Sequence, residues 1–275
     1  MLSACARLLT PDDVVSCIQN RIGARGFVLT FDDGLRDHFD FVASELHKYG
    51  LRAFFFINTN AWSGEILDVH RLQLLNASFQ IPERTSVFAD ETRRLGIDCD
   101  PTAIPEIEVR RIYRYDNLET ARLKFIVNFR FTLEQRQSVV KAMFNRLLGN
   151  TGVRASDLYM SADEARKLHE QGHVVGCHTH RHLALSRLSS EERVEDIRNN
   201  VIALREAIGV SPQWFSFPFG DERADGVLEA CASAGIRFGF TMNRGFITEE
   251  STRMRLERVD TNDAPGGKSP TVSFT

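Results

Sequence analysis

The stretch Thr30-Phe31-Asp32-Asp33-Gly34 constrains this chain more than any other. Phe27-Val28-Leu29-Thr30 reads as a short buried parallel strand, apolar and rich in β-formers. Two adjacent carboxylates stand where that strand ends. Neighbouring like charges raise each other's cost of ionisation unless a cation sits between them. Asp-Asp-Gly is also ordinary turn chemistry, so the pentapeptide alone leaves turn and metal site both open. A second cluster far along the chain, Gly172-His173-Val174-Val175-Gly176-Cys177-His178-Thr179-His180-Arg181-His182, shifts the balance towards metal.

Strand and helix patterns alternate on both sides of these clusters. Thr10-Pro11-Asp12-Asp13 opens a helix that is expected to reach about Asn20 and stop before Gly23. His38 to Leu46 has helical apolar spacing and stops at Gly50, and Arg52-Ala53-Phe54-Phe55-Phe56-Ile57 reads as a second buried strand. Strand, helix and strand within about thirty residues form a βαβ unit. The alternation resumes with a capping box at Ser161 to Glu164, a strand over Val174 to His178, and a helix opened by Ser189 to Glu192. Trp214 to Gly220 reads as a strand running into a turn, Phe238 to Met242 and Met254 to Val259 as the last strands, and Val227 to Ala234 as a helix. The fold class is therefore α/β with a parallel sheet, closed as a barrel or doubly wound. No Gly-rich phosphate loop follows any strand, which disfavours the nucleotide-binding version. A barrel carries its chemistry at the C-terminal ends of its strands, where Asp32, Asp33 and His178 fall.

From about Ser63 to Asn150 the pattern changes to helix signals without a convincing strand. Val69 to Leu75 is a short helix candidate, Thr132 to Gly149 a strong one, and Asp98 to Arg114 is expected to be loop. This region reads as a helical insertion over the barrel mouth, too polar for a core of its own. Its local excess of base (Arg110, Arg111, Arg114, Arg122, Lys124, Arg130) reads as a solvated face or a surface for an anionic substrate. The tail after Asp263, rich in Gly, Pro and Ser, is expected to be mobile.

Bulk properties exclude several classes. A net charge of −3 over 275 residues gives no footprint for nucleic acid. Cys5, Cys17, Cys99, Cys177 and Cys231 are scattered and odd in number, which suits a reducing compartment. No basic segment precedes an apolar run at Met1 to Leu9, and no apolar stretch approaches the roughly 20 residues of a membrane span. The expectation is a soluble, cytoplasmic protein without a membrane span.

His178 and His182 are four apart, so a helical turn after the strand would face them to one side, with His180 pointing elsewhere. Asp33 supplies a third ligand and leaves positions open, as in catalytic sites. Mixed N and O donors suit Zn²⁺ best, with Co²⁺, Ni²⁺ or Mn²⁺ as alternatives.

These motifs, with Phe217-Pro218-Phe219-Gly220 downstream, resemble the polysaccharide deacetylase family (the chitooligosaccharide-deacetylase homology domain, carbohydrate esterase family 4). The likeness covers about residues 26–62 and 172–260. It implies a distorted (β/α) barrel of about seven parallel strands, a single domain over 1–275 with the insertion at about 63–150. It implies Asp32 as the base that activates water and Asp33, His178 and His182 as metal ligands. The backbone N–H of Phe219 would then help hold the oxyanion. Trp62 and His70 are, with Phe219, the candidate substrate-binding residues.

Two positions depart from that family. Ser216 stands where an Arg usually orients the base, and no His follows His182 to act as general acid. His70 is the candidate for the missing acid. For the missing arginine, the strand Arg255 to Asp260 alternates so that Arg258 shares a face with Leu256, near the C-terminal end. If the barrel closes last strand to first, Arg258 reaches Asp32; otherwise it is a strand-end charge paired with Asp260 or Glu257.

The function implied is metal-dependent removal of an acetyl or formyl group from an amino sugar, small or nucleotide-linked, in surface-polysaccharide biosynthesis. The alternatives are a catalytically silent, metal-dependent carbohydrate-binding protein and a hydrolase of a non-sugar amide.

Overall fold

Phe54, Phe55, Phe56 and Ile57 are all essentially solvent-free, which only a sheet covered on both faces permits. They form β2 (Phe54–Ile57) of a six-stranded parallel sheet. The other strands are β1 (Thr30–Phe31), β3 (Val174–Cys177), β4 (Trp214–Ser216), β5 (Phe238–Arg244) and β6 (Leu256–Arg258), side by side in chain order. The computed structural model describes residues 7–21 and 26–271. The expectations for the chain start and for a stop at Gly23 lie outside the described residues.

Side chains of β2 alternate between two cores. Phe54 and Phe56 join Trp214, Phe238, Phe240 and Leu256 inside the curl of the sheet, where Val14 of helix α1 (Pro11–Asn20) also packs. Phe55 and Ile57 face outward among Leu168, Leu204 and Phe215, under the outer helices. Each buried Phe contributes roughly 1.5–3 kcal/mol relative to exposure. The sheet is a curled, open half-barrel of six strands, the distorted (β/α) barrel expected, with six strands where about seven were anticipated. Among the described residues no backbone pairing joins β6 to β1. That seam is bridged by a side chain, with Arg258 Nη1 donating to Thr30 Oγ1 at 3.3 Å.

Helix α2 (Ser44–Lys48) follows a π-helical turn over His38–Ala43. The insertion then contributes α3 (Asp68–Ser78), α4 (Ile81–Arg94), α5 (Glu106–Arg110), α6 (Leu118–Phe125), α7 (Leu133–Leu148) and α8 (Ala155–Leu158). The expectation that it lacks a core was wrong. Leu72, Leu75, Val109, Leu123, Val139 and Met143 are buried in a cluster of their own. Polar residues hid it because their heads are satisfied while their stems are buried. Arg84 of α4 is 4% exposed, yet its guanidinium donates to the Phe79 carbonyl and Thr120 Oγ1, both at 3.1 Å. Such a residue interrupts the apolar period, so α4 and α6 were not legible. The segment read as loop at 98–114 likewise holds α5 and a short 3₁₀ turn at Pro101–Ala103.

Three of the six basic residues singled out in the insertion are paired with acids of the insertion itself. Arg110 pairs with Glu106 at 3.1 Å, Lys124 with Asp116 at 2.7 Å and Arg130 with Glu108 at 2.8 Å. The barrel resumes with α9 (Ala162–Glu170), α10 (Ser190–Ile208) and α11 (Val227–Ser233). Capping boxes start α9 and α10 where the sequence placed them, and Gly209, at φ 79°, ends α10. Residues 264–271 turn back on the segment that precedes them: Ser269 N–H donates to the Asn262 carbonyl at 2.9 Å and Thr271 N–H to that of Asp263 at 3.0 Å. No helix among the described residues is long and apolar enough to cross a membrane.

Gly176 of β3 leaves room for an aromatic ring. A Cβ there would sit 2.6 Å from Phe56 Cε1 and 2.9 Å from the Trp214 carbonyl oxygen, which is sheet backbone and has no freedom to move. Gly176→Ala is expected to destabilise the protein by about 1–3 kcal/mol. A lowered urea midpoint at unchanged slope checks it; an unchanged midpoint would show that the sheet relaxes around the methyl.

Candidate metal centre

β1 delivers Asp32 and Asp33 at its C-terminal end, and β3 delivers His178 at the equivalent point two strands away. The backbone then leaves regular structure on both sides. Asp33 has φ 77° and Gly34 φ 65°, and the Gly34 carbonyl accepts from Met160 N–H at 3.1 Å. The two histidines do not meet through a helical turn, as their spacing predicted. Thr179 at φ 64° and His182 at φ 51° are left-handed, and this loop geometry brings His182 back beside His178. With Phe219 at φ 58°, four of the five described non-glycine residues with positive φ lie here. Such backbone costs about 1–3 kcal/mol per residue and persists only where the surroundings impose it.

Those surroundings are polar and buried. Asn200 of α10 accepts from His178 N–H at 3.1 Å and donates to the Ile57 carbonyl and Thr59 Oγ1, both at 3.0 Å. Asp196, one turn earlier, accepts from His180 N–H at 2.9 Å and Arg181 Nε at 2.7 Å. Asn58 donates to the carbonyls of His178 and Thr179. His180 turns away from the centre, its Nδ1 2.9 Å from Thr59 Oγ1. Sequence reasoning missed Asn200 and Asp196; the signal was an Asp and an Asn four apart on the otherwise apolar face of α10.

Asp33, His178 and His182 each offer one donor atom, and the three lie within 4.8 Å of one another. Asp33 Oδ1 is 3.4 Å from His178 Nε2 and 3.2 Å from His182 Nε2. His178 Nδ1–H donates to the Ser216 carbonyl at 2.7 Å, which turns the Nε2 lone pair towards the cluster. Asp33 Oδ1 is buried without a hydrogen-bond partner. A buried carboxylate oxygen left facing two imidazole nitrogens is the arrangement a divalent cation satisfies.

Asp32 is held differently. Arg258 Nη1 lies 3.0 and 2.9 Å from its two oxygens, and Ser216 Oγ donates to Oδ2 at 3.0 Å. Arg258 Nη2 donates in turn to Ser216 Oγ at 3.0 Å, and its Nε to the Thr241 carbonyl at 2.9 Å. The serine therefore fills the gap between carboxylate and guanidinium, a role not read from the sequence. Burial alone would raise both aspartates. The charges of Arg258 and His178 instead hold Asp32 below the usual carboxylate range, and contacts from His178, His182 and His70 hold Asp33 well below it. Both carry negative charge at neutral pH.

A cavity of about 360 Å³ opens onto these groups. The barrel contributes Asp32, Asp33, His178, His182, Phe219 and Asp260 to its wall. The insertion contributes Val69, Leu72, Gln73, Tyr113, Lys124 and Asn128, of which only Lys124 was singled out beforehand, among the basic residues weighed for an anionic substrate. Phe219 lies against His182, ring centroids 4.9 Å apart. Trp62 and His70 are not on the cavity wall. Trp62 packs on the outer core and spends its indole N–H on the Met160 carbonyl at 3.0 Å. His70 stands behind the cluster, Nε2 3.3 Å from Asp33 Oδ2, so it touches a proposed ligand rather than the space a substrate occupies.

A half-barrel with an Asp-His-His centre at the carboxyl ends of its strands defines a class of metal-site α/β proteins. The polysaccharide deacetylase family model matches residues 132–239, a segment that holds both histidines and α7 but not the Asp-Asp strand. The fold resembles the deacetylase PplD of Streptococcus pyogenes, solved with acetate, at a TM-score of 0.54 and 14% identity over 92% of this chain and 73% of that one. It also resembles a de-N-acetylase of Aggregatibacter actinomycetemcomitans (TM-score 0.54, 12% identity, 94% and 79%) and IcaB of Ammonifex degensii (0.50, 15%, 94% and 79%). At these identities the likeness is one of fold. No curated protein matches the chain. Over residues 132–239 the chain is thus similar to the polysaccharide deacetylase family, and over most of its length it shares the fold of these deacetylases.

Asp33→Ala, His178→Ala and His182→Ala are each expected to lose bound metal, measured by elemental analysis after gel filtration. Arg258→Met is expected to keep its metal while turnover falls at least tenfold, about 1.4 kcal/mol. An unchanged kcat in that variant would remove Arg258 from the machinery.

Proposed function

We propose that this protein is a metal-dependent carbohydrate N-deacylase that removes an acetyl or formyl group from an amino sugar, with Zn²⁺ as its metal. The observation that carries the reading is the pairing of a clamped, ionised Asp32 with an Asp-His-His donor set two strands wide. Three protein ligands of mixed N and O type suit zinc with positions left open.

A divalent ion held by Asp33, His178 and His182 supplies Lewis acidity, which acidifies water and polarises an amide carbonyl. Asp32 takes a proton from the attacking water as the oxygen bonds to the carbonyl carbon. Arg258 and Ser216 fix the carboxylate rotamer, so the acceptor lone pair is already aimed. The Phe219 backbone N–H meets the developing oxyanion. When the C–N bond breaks, Asp32 returns its proton to the leaving amine, giving a carboxylate and a free amino sugar. No histidine of the cavity wall is spare for that transfer, and His70 faces Asp33 rather than the cavity.

The cavity favours a small substrate, because about 360 Å³ lies at the low end for small-molecule sites. Its lining favours a neutral one. Among the described residues its wall offers a phosphate no unpaired lysine or arginine, the one lysine being held by Asp116. A nucleotide-linked sugar would thus place its sugar inside and its phosphates outside. A silent binding protein has no use for a clamped base, which weighs against that alternative.

Amine release from N-acetyl and N-formyl amino sugars, free and nucleotide-linked, is expected with metal and not with chelator. Release from a non-sugar amide alone would move the substrate class. Asp32→Asn is expected to retain stoichiometric metal and to lose roughly 10²- to 10⁴-fold in kcat. A near-wild-type rate with full metal would show that the base lies elsewhere.

A further inference from the structure

Asp33 has two oxygens, and only Oδ1 faces the histidine pair. Oδ2 faces the insertion, where His70, 3% exposed, brings Nε2 to 3.3 Å. The other nitrogen of His70 lies 2.7 Å from the hydroxyl of Tyr159, itself 4% exposed. The same hydroxyl oxygen lies 3.1 Å from the backbone N of Leu67.

The proton positions follow from these partners. A backbone N–H only donates, so the Tyr159 oxygen accepts from Leu67. Burial and the charge of Asp33 push the Tyr159 hydroxyl upward, so it keeps its proton, and His70 Nδ1 is the acceptor beside it. With Nδ1 accepting, the imidazole N–H is on Nε2, which is buried without a hydrogen bond of its own and has Asp33 Oδ2 as a charged neighbour at 3.3 Å.

The chain of contacts spans the junction between insertion and barrel. Leu67 and His70 belong to the entry into α3, and Tyr159 to the return after α8. Tyr159 also bridges to Leu35, and its neighbour Met160 donates to the Gly34 carbonyl and receives the Trp62 indole. The segment that orients His70 therefore also holds the loop that carries Asp33.

We propose that His70 and Tyr159 are positioning residues for the metal ligand Asp33, holding Oδ2 so that Oδ1 faces the metal. The insertion is by this account part of the metal centre's support, and His70 is neither a proton donor to substrate nor a substrate contact. Groups that orient metal ligands typically contribute 10- to 100-fold to metal affinity. The inference depends on the Asp-His-His centre and not on which amide is cleaved.

The test is the dissociation constant for Zn²⁺, measured by chelator competition on the full chain. His70→Phe is expected to weaken binding at least tenfold, and Tyr159→Phe to weaken it by a smaller factor. His70→Gln, whose amide N–H can replace Nε2–H, is expected to recover most of the loss. At saturating Zn²⁺ His70→Phe should turn over within about threefold of wild type. Unchanged affinity in His70→Phe would overturn the proposal, as would failure of His70→Gln to recover it. A large kcat loss at full metal occupancy would also overturn it, in favour of a proton-transfer role. If His70→Phe does not fold, Tyr159→Phe against Tyr159→His decides by the same constant. Normal zinc affinities across the series with no amine release from any sugar would sink the N-deacylase reading and this proposal together. Affinity effects as expected with no amine release would sink only the former.

Discussion

Two carboxylates on consecutive residues at a buried strand end repel each other, and much of the site can be read as the means of separating them. The left-handed φ of Asp33 sends its side chain to the histidines, while Asp32 stays with the sheet seam. Each then has its own cation partner: a guanidinium for Asp32 and a metal position for Asp33. Neither partner is local in sequence. The loop that brings His182 back beside His178 is strained, and it is held by Asn58, Asp196 and Asn200 because that geometry has no regular secondary structure to enforce it.

What was legible in the sequence was what short-range pattern encodes. Buried strands announced themselves as apolar runs, and helix starts as capping boxes at Ser161 and Ser189. The Asp-Asp and His-x-x-x-His spacings pointed to a metal site, and the fold brings Asp33, His178 and His182 together as a donor set. The convergence of those histidines was expected for the wrong reason, a helical turn, because positive φ at Thr179 and His182 leaves no compositional trace. The insertion's core was illegible for a related reason. Buried Arg84 and Arg136 look polar in a sequence, and only the fold shows their stems inside a cluster of Leu, Val and Met. Trp62 and His70 were placed near the chemistry by position along the chain, yet both serve the wall behind it.

The insertion accordingly has two faces of different character. One supplies Gln73, Tyr113, Lys124 and Asn128 to the cavity that opens onto the Asp-His-His cluster. The other supplies packing to the Gly34–Leu35 turn through Tyr159 and Met160. A segment that reads as an addition to a barrel is thereby tied into it at both of its ends.

Arg258 lies on the last strand of the sheet, across a seam that no backbone pairing closes, while the residues it serves lie at the first. Every donor of the Asp-His-His cluster has been synthesised by residue 182, and Asp32 long before that. The guanidinium that clamps Asp32 arrives more than seventy residues after the last of these. A chain that stops before β6 therefore lacks the clamp on Asp32 even where its Asp-His-His cluster is complete, so the first and last strands of an open sheet answer to each other through one side chain.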